Sequence, residues 1–432
     1  MARSRDSLRI GRMPIHFFTV AVIFFIAGLA AAPLVVTRVV EFFYQPAVLA
    51  LVHTFTLGWI TAAIMGVMYR YVPALTRRPI AYPRVAIAQL ALFIIGVIGM
   101  VSHFANGIWV GVWFSAAILI VSIALFAANM MPCLYRQLGR GVAETGMFLS
   151  ICFLLIAALI GFVLALDKSL NFLGGDVLTN LAGHVQFAAV GWVTLTICAV
   201  SYRMLPAFLL PTITLPRSAA WQLWALAIAT IALGITLLAG LPGSIIWSLA
   251  IAAALLAYIF TIGRIARSHR MPIDFTARHA FAGIAWLVLA LIAGLMLAEV
   301  GPQGRWGNRI AAAYGAMGLL GWISNFIIGM SYQLFPGFVA RARVAAGWRA
   351  VSIAELSIKS PRLLVFIGYN SGLAVLVAGF MMSSSALAEL GAVTVALAGI
   401  VYGATTMWTL SFAYRKAVPK AASNPLRVLS AE

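Results

Sequence analysis

The chain has 432 residues, of which 63% are hydrophobic and only 9% are charged. A soluble domain carries roughly 25% charged residues, so this composition excludes an ordinary water-soluble fold. The net charge of +19 also does not indicate a nucleic-acid partner, because the basic residues stand at the ends of apolar segments rather than beside aromatic residues on one face.

Twelve long apolar segments follow one another along the chain. About 20 apolar residues in a helix span a hydrocarbon core of roughly 30 Å, and such continuous runs differ from the alternating strands of membrane barrels. The predicted spans are 13–37, 44–73, 84–105, 107–132, 144–166, 177–208, 219–240, 243–263, 276–299, 309–337, 361–384 and 388–413. We therefore expect an all-α integral membrane protein, with residues 1–432 forming a single membrane domain of about twelve transmembrane helices in the lipid bilayer.

The connections between these segments alternate in charge. Of the 29 Lys and Arg residues, only four fall in the connections after odd-numbered helices, namely Arg38, Lys168, Arg305 and Arg309. Cytoplasmic loops carry the excess of cations, so this asymmetry predicts cytoplasmic N- and C-termini. The longest interruption, residues 338–360, contains Arg341, Arg343 and Trp348, which predicts an amphipathic segment at the cytoplasmic interface.

Three tracts in helices 2, 6 and 10 align without gaps. They are VHTFTLGWITAAIMGVMYRYVPAL, GHVQFAAVGWVTLTICAVSYRMLPAF and YGAMGLLGWISNFIIGMSYQLFPGF. Each contains Gly-Trp, with a Tyr ten residues after the Trp and a Pro four residues later; the tryptophans are Trp59, Trp192 and Trp322. This recurrence predicts three pseudo-symmetric four-helix units, approximately 13–132, 144–263 and 276–413. Glycine before Trp predicts close helix approach, and the proline predicts the end or a kink of each helix.

This organisation resembles the catalytic subunit of heme-copper oxidases, and the three tracts are most similar to its C-type oxidases and their short relatives. The tract VPALTRRP after helix 2 is also similar to the NnrS family, a heme- and copper-associated branch linked to nitric-oxide stress. The resemblance implies a multi-pass protein of the bacterial cytoplasmic (inner) membrane. It also implies other respiratory subunits or a periplasmic electron donor as partners.

Three histidines lie in the outer part of the predicted helices: His53 in helix 2, His184 in helix 6 and His103 at the end of helix 3. Polar residues within spanning helices are functional candidates because they are costly in lipid. By the resemblance, His53 falls where the family has its helix-2 ligand to low-spin heme, and His184 falls near the helix-6 copper ligand.

Three interpretations of these histidines remain open. One is a retained heme b, with His53 as ligand and either Met317, Tyr314 or His103 as second axial group, or with five-coordinate iron. Another is a copper or zinc site formed by His53, His103 and His184. The third is that His53 and His184 are polar positions satisfied by helix packing.

The sequence departs from the oxidase pattern in ways that exclude its reaction. Helix 7 lacks the paired copper-ligand histidines of the family, and helix 10 contains no histidine. All ten acidic residues lie at helix ends or in loops, whereas proton pumps usually need a carboxylate within the membrane. We therefore expect no oxygen or nitric-oxide reduction. The leading hypothesis is a degenerate oxidase-like subunit that holds one heme or metal ion in electron transfer or respiratory-complex assembly. The alternative is a non-redox scaffold subunit or a carrier of a neutral solute.

Overall fold

The structure is a computed structural model that describes residues 11–356, 358 and 361–416. Over these ranges twelve helices are long and apolar enough to cross a membrane, and the described residues contain no strand. The helices are α1 (Met13–Glu41), α2 (Pro46–Thr76), α3 (Val85–Ala105), α4 (Trp109–Tyr135), α5 (Val142–Leu170), α6 (Val177–Leu209), α7 (Ser218–Leu238), α8 (Ser244–Arg267), α9 (Phe275–Val300), α10 (Gly304–Ala345), α11 (Arg362–Met382) and α12 (Ser385–Ser411). This confirms the prediction of an all-helical, multi-pass membrane protein.

Several of these helices begin at a side chain that caps the first turn. Asp176 accepts a hydrogen bond from the Thr179 amide at the start of α6, and Asp274 does the same for Ala277 at the start of α9. Ser384 caps α12 in the same way. An amide at a helix N-terminus has no partner within the helix, so each cap fixes where the helix begins.

The two ends of the bundle are distinguished by the contacts between connections. At one end, which we call the terminal end, His16 near the start of α1 contacts the Tyr414 hydroxyl after α12 at 2.9 Å. At the opposite, distal end, the backbone amide of Phe43 donates to the Asn308 side chain at 2.9 Å, and the side-chain Nε2 of Gln303 donates to the Asp176 carboxylate at 3.3 Å. The short connections 42–45, 106–108, 171–176, 239–243, 301–303 and 383–384 lie at the distal end.

Helix α10 is longer than the sequence predicted. It continues past Pro336 to Ala345, so residues 338–345 belong to α10 and do not form a separate amphipathic segment. The reason lies in Arg343, whose side chain is fully buried and donates to the carbonyls of Phe412, Arg415 and Lys416. These carbonyls follow α12 and lack helical partners, so the guanidinium joins the ends of the two helices.

The glycine before each tryptophan of the repeated tracts permits close helix approach, as predicted. In α6 the Phe153 ring of α5 packs on Gly191 so closely that an added Cβ would lie 2.6 Å from Phe153 Cγ. Aromatic side chains of α1 and α9 pack in the same manner on the corresponding glycines of α2 and α10; the pairs are Phe24 with Gly58 and Trp286 with Gly321.

Each of α2, α6 and α10 changes from α-helical to π-helical hydrogen bonding around its tryptophan. The π-helical segments are Thr54–Thr61, Gln186–Thr194 and Met317–Ser324. Such segments are rare in α-helices and occur often at functional sites. They rotate the side chains that precede the segment relative to those that follow it, so they set the direction of the residues on the distal side of each tryptophan.

Each of the three tryptophans donates its indole N–H to a hydroxyl on another of these helices. The bonds are Trp59 to Ser324 at 3.1 Å, Trp192 to Thr61 at 3.1 Å and Trp322 to Thr194 at 3.3 Å. They connect α2 to α10, α6 to α2 and α10 to α6, so they close on themselves. Every acceptor is the last residue of a π-helical segment, two residues after the tryptophan of its own helix. We call this closed set the tryptophan circuit.

Aromatic rings of α4, α8 and α12 hold the circuit in place. Phe126 of α4 packs edge-on against Trp192 and also against Tyr69. Tyr258 of α8 makes the equivalent edge-on contacts with Trp322 and Tyr202. Tyr402 of α12 makes them with Trp59 and Tyr332. Ring centroids 4.5 to 7 Å apart in edge-on geometry are favourable beyond the area they bury. The centre of the bundle is therefore a rigid aromatic layer.

Candidate functional site

A large cavity lies on the distal side of the tryptophan circuit. Its volume is about 880 Å³, and its lining is mainly apolar. Trp192 and Trp322 contribute to its floor, and the lining continues to Tyr44 and Pro302 at the distal connections. We call it the distal cavity. Ligand-binding cavities in proteins have volumes of about 300 to 1,000 Å³ and are mostly apolar with a few polar groups, so this one has the size of a cofactor site.

His53 lines the distal cavity from α2, one residue before the π-helical segment. Its Nδ1 lies 2.7 Å from the Leu49 carbonyl, one helical turn earlier, and its ring stacks on Phe104 with centroids 4.8 Å apart. A hydrogen bond from Nδ1 to a carbonyl fixes the tautomer and the ring orientation, which leaves Nε2 as the nitrogen that can bind a ligand.

His184 and Gln186 line the same cavity from α6. The imidazole of His184 lies against Gly161 of α5, where an added Cβ would be 2.8 Å from Cε1, so only glycine leaves room for the ring there. The Nδ1 of His184 and the Nε2 of Gln186 are buried without a partner in hydrogen-bonding geometry, and the Ala157 carbonyl is the acceptor that lies near the imidazole. Buried polar groups without partners are costly, so these two nitrogens are unfavourable features of the protein interior.

Tyr314 and Lys168 also belong to the polar part of the lining. Tyr314 stands eight residues before Trp322, as His184 does before Trp192, and its ring lies beside Gly294 of α9. Among the residues that the structure describes, Lys168, in the last turn of α5, is the only Lys, Arg, Asp or Glu in the lining. Its ammonium lies 4.8 Å from the ring centroid of Tyr44 and 5.8 Å from that of Trp109.

The structure brings together some of the predicted site residues and separates others. His53, His184 and Tyr314 share the distal cavity. His103 and Met317 do not belong to the lining. His103 contacts the Ser115 hydroxyl at 3.3 Å and packs over Gly111 of α4, and Met317 is 6% exposed in the helix core. In the part of the chain that the structure describes, no group of three or more His, Cys, Asp or Glu residues could hold a metal ion.

Sequence reasoning missed Lys168 and Gln186 as site residues. Lys168 was interpreted only as one of the few cations on its side of the membrane. Gln186 could have been found from the repeat, because it stands six residues before Trp192 just as His53 stands six residues before Trp59.

The arrangement can hold an apolar ligand with a polar or metal centre. It offers two imidazoles and a carboxamide in the wall, a cation near the distal connections and an aromatic floor. The cavity size, the apolar lining and the oriented His53 fit a heme. No protein-family model matches this sequence, and no curated protein matches it at a significant level.

Proposed function

We propose that this chain is a heme-binding membrane protein in which His53 ligates one heme in the distal cavity, in the service of electron transfer or respiratory-complex assembly. The observation that carries the proposal is the imidazole of His53, whose Nδ1 is fixed to the Leu49 carbonyl at 2.7 Å while the ring lines a cavity of about 880 Å³. Neutral imidazole is a common axial ligand of heme iron, and a carbonyl partner on its other nitrogen is the usual support.

The chain's own residues would orient and enclose the group. Leu49 holds the His53 ring, Phe104 stacks on one face of it, and Gly161 leaves space for a second imidazole at His184. The bound heme would supply a one-electron couple. The mainly apolar lining would favour the less charged state of the iron and so would tune its potential.

A heme fits this site better than a metal ion held by side chains alone. Protein-only copper and zinc sites generally take three or four donor residues. The lining of the distal cavity supplies His53 and His184 and no cysteine or carboxylate. A porphyrin brings four nitrogen donors of its own, so one or two imidazoles suffice.

The scaffold proposed for this function is that of the heme-copper oxidase catalytic subunit, with three related four-helix units over approximately 13–132, 144–263 and 276–413. This proposal is supported by three features that recur in α2, α6 and α10. Each helix has a glycine before its tryptophan with an aromatic side chain packed on it, a π-helical segment, and a hydrogen bond from the indole to a hydroxyl on another of these helices. The absence of histidine from α7 and α10 argues that the chain does not reduce oxygen or nitric oxide.

We further propose that the terminal end faces the cytoplasm of a bacterium and that the distal cavity faces the periplasm. The distribution of cations supports this orientation. A fluorescent protein fused after residue 432 should fluoresce, and alkaline phosphatase inserted in connection 171–176 should be active. The opposite pattern would reverse the assignment.

The test of function is the colour of the purified protein. In detergent, the dithionite-reduced minus oxidised spectrum should show Soret and alpha bands, with about one heme per chain by pyridine hemochrome assay. His53→Ala should lose the heme. His103→Ala is the matched control, because this imidazole lies at the same end of the bundle but outside the cavity lining, and it should keep the heme. A colourless wild-type protein, or a His53→Ala variant that retains its heme, would overturn the proposal.

A second candidate function is carriage or storage of a neutral apolar solute. The specific observation in its favour is that the lining carries a single formal charge, at Lys168, and that none of the acidic residues falls within it. This candidate would be supported in place of the first if the purified protein contains no heme or metal and binds an apolar fluorophore that a neutral apolar compound can displace.

A further inference from the structure

We propose that the ligand of the distal cavity is an apolar molecule that carries a carboxylate, and that Lys168 binds this carboxylate near the distal connections. The inference rests on the proposed function, since it assigns the charge and orientation of the ligand that the cavity holds.

The first argument is the isolation of the Lys168 charge. Lys168 is the only Lys, Arg, Asp or Glu that lines the cavity, and no ion pair to it occurs among the described residues. The adjacent carboxylate of Asp167 is directed elsewhere, because its Oδ1 accepts the amides of Phe172 and Leu173 at 2.8 and 2.6 Å. The cation therefore keeps its capacity for an anionic ligand.

The second argument is the way the ammonium is held. Tyr44 and Trp109 each present a ring face to the Lys168 ammonium, and both rings also line the cavity. Cation–π contact steers a lysine without neutralising it. The position in the last turn of α5 adds a favourable interaction with the helix dipole. The side chain is thus directed along the cavity wall.

The third argument is the separation between the charge and the imidazoles. Gly161, which lies against the His184 ring, precedes Lys168 by seven residues on the same helix. At 1.5 Å per residue this places the Lys168 backbone about 10 Å further toward the distal end. A ligand held at both levels must have an apolar body of that order with an anionic group at one end.

Heme propionates and fatty acids both supply a carboxylate on an apolar body, so the experiment compares both sources with their neutral esters. The probes are hemin against its dimethyl ester, and oleate against methyl oleate. Binding to the full chain in detergent is followed by quenching of tryptophan fluorescence, with the Soret shift as a second signal for the porphyrins. If the cavity takes heme, wild type should bind hemin about tenfold more tightly than its dimethyl ester; if it takes a fatty acid, wild type should prefer oleate to methyl oleate by the same factor. The reason is that a charge-assisted contact is stronger than a neutral one.

Lys168→Met should abolish the preference for the acid, and Lys168→Arg should retain it. Arg309→Met is the matched control, because Arg309 also lies at the distal end, against the Trp306 ring, but does not line the cavity. It should leave the preference intact. Equal affinity of wild type for acid and ester overturns the inference, as does a Lys168→Met variant that weakens both alike or a wild type that binds no probe.

The measurements distinguish failure of the proposed heme ligation by His53 from failure of the proposed carboxylate binding by Lys168. If His53→Ala loses both porphyrins while wild type does not distinguish acid from ester, the carboxylate site is refuted and the heme function stands. If His53→Ala binds hemin as wild type does, the heme function is refuted, and a preference for oleate that depends on Lys168 still supports the carboxylate site.

Discussion

The indole of Trp192 on α6 donates to the hydroxyl of Thr61 on α2 at 3.1 Å, across 131 positions of sequence. Both side chains are buried, at 2% exposure each, so neither has water as a substitute partner. In the membrane interior such an interhelical bond contributes on the order of 0.6 kcal/mol on average and up to about 1.7 kcal/mol.

We expect Trp192→Phe and Thr61→Val to lower the free energy of unfolding by about 1 kcal/mol or more each, and the double variant to lose less than the two together. Denaturation in detergent, followed by circular dichroism, measures this coupling. Trp221→Phe is the control, because Trp221 is 74% exposed on the outer surface of α7. Full additivity would show that the bond contributes nothing.

Adding a single methyl group at Gly191 should destabilise the bundle. A Cβ at this position would lie 2.6 Å from Phe153 Cγ, so Gly191→Ala must displace the ring or separate α5 from α6, at a cost of about 1 to 3 kcal/mol. Gly263→Ala in α8 is the matched control, because no atom lies within 4 Å of its added Cβ.

The same Gly191→Ala substitution should be partly rescued by Phe153→Leu, which is smaller and flexible. Thermal denaturation of the single and double variants in detergent provides the comparison. A Gly191→Ala protein as stable as wild type would contradict the close packing at this site.

Replacing Gln186 by Leu should stabilise the ligand-free protein. The Nε2 of Gln186 is buried without a partner, and removal of such a group recovers a desolvation cost of about 1 to 3 kcal/mol. Gln89→Leu is the control and should lower the stability of the protein, because Gln89 accepts from Tyr69 at 3.2 Å and donates to Ser122 at 3.0 Å. Loss of stability in Gln186→Leu would mean that the amide is satisfied.

The loop after α10 should loosen in acid. The Arg349 side chain donates to Glu355 at 2.8 Å, and Ser352 donates to the same carboxylate through its amide and hydroxyl. These hydrogen bonds lower the pKa of Glu355 below its ordinary value, and the one from Arg349 has the largest effect. The stabilisation is therefore complete above the ordinary pKa and is lost as the pH falls through the lowered value.

Hydrogen exchange of a peptide covering 346–356 measures this effect. At neutral pH Glu355→Gln should exchange faster than wild type, and the difference should disappear below the lowered pKa. The effect should also shrink in high salt, because the side chains of Arg349 and Glu355 are 61% and 36% exposed and salt screens such a pair. A Glu355→Gln variant that exchanges at the wild-type rate at pH 7 would show that the loop does not depend on this pair.

The helices were predictable from the sequence because apolar length alone decides them. The exception is α10, where Pro336 and the cations that follow it suggested an end at 337. The helix continues because Arg343 has carbonyls after α12 to bind, and those partners are 69 or more residues away in sequence. A local pattern contains no information about such a contact.

The candidate site was predictable only in part. His53 and His184 were identified because a histidine within a membrane helix is conspicuous, and the structure places both on one cavity. The π-helical segments were not predictable from the local pattern, and the indole bonds accepted at their last residues, Thr61, Thr194 and Ser324, join positions far apart in sequence. Lys168 was missed because a charge near a helix end is usually explained by orientation, and its position over two rings is a tertiary feature.

The tryptophan circuit has a consequence for the order in which the protein is assembled. During synthesis α2 enters the membrane before α6 and α10, so Thr61 can receive Trp192 early, but Trp59 has no acceptor until Ser324 emerges 265 residues later. Until then, the Trp59 indole lacks this acceptor in the nascent chain. The bond from Trp322 to Thr194 also waits for α10, so the circuit can close only after α10 has been synthesised. A chain that terminates before α10 lacks both of these bonds.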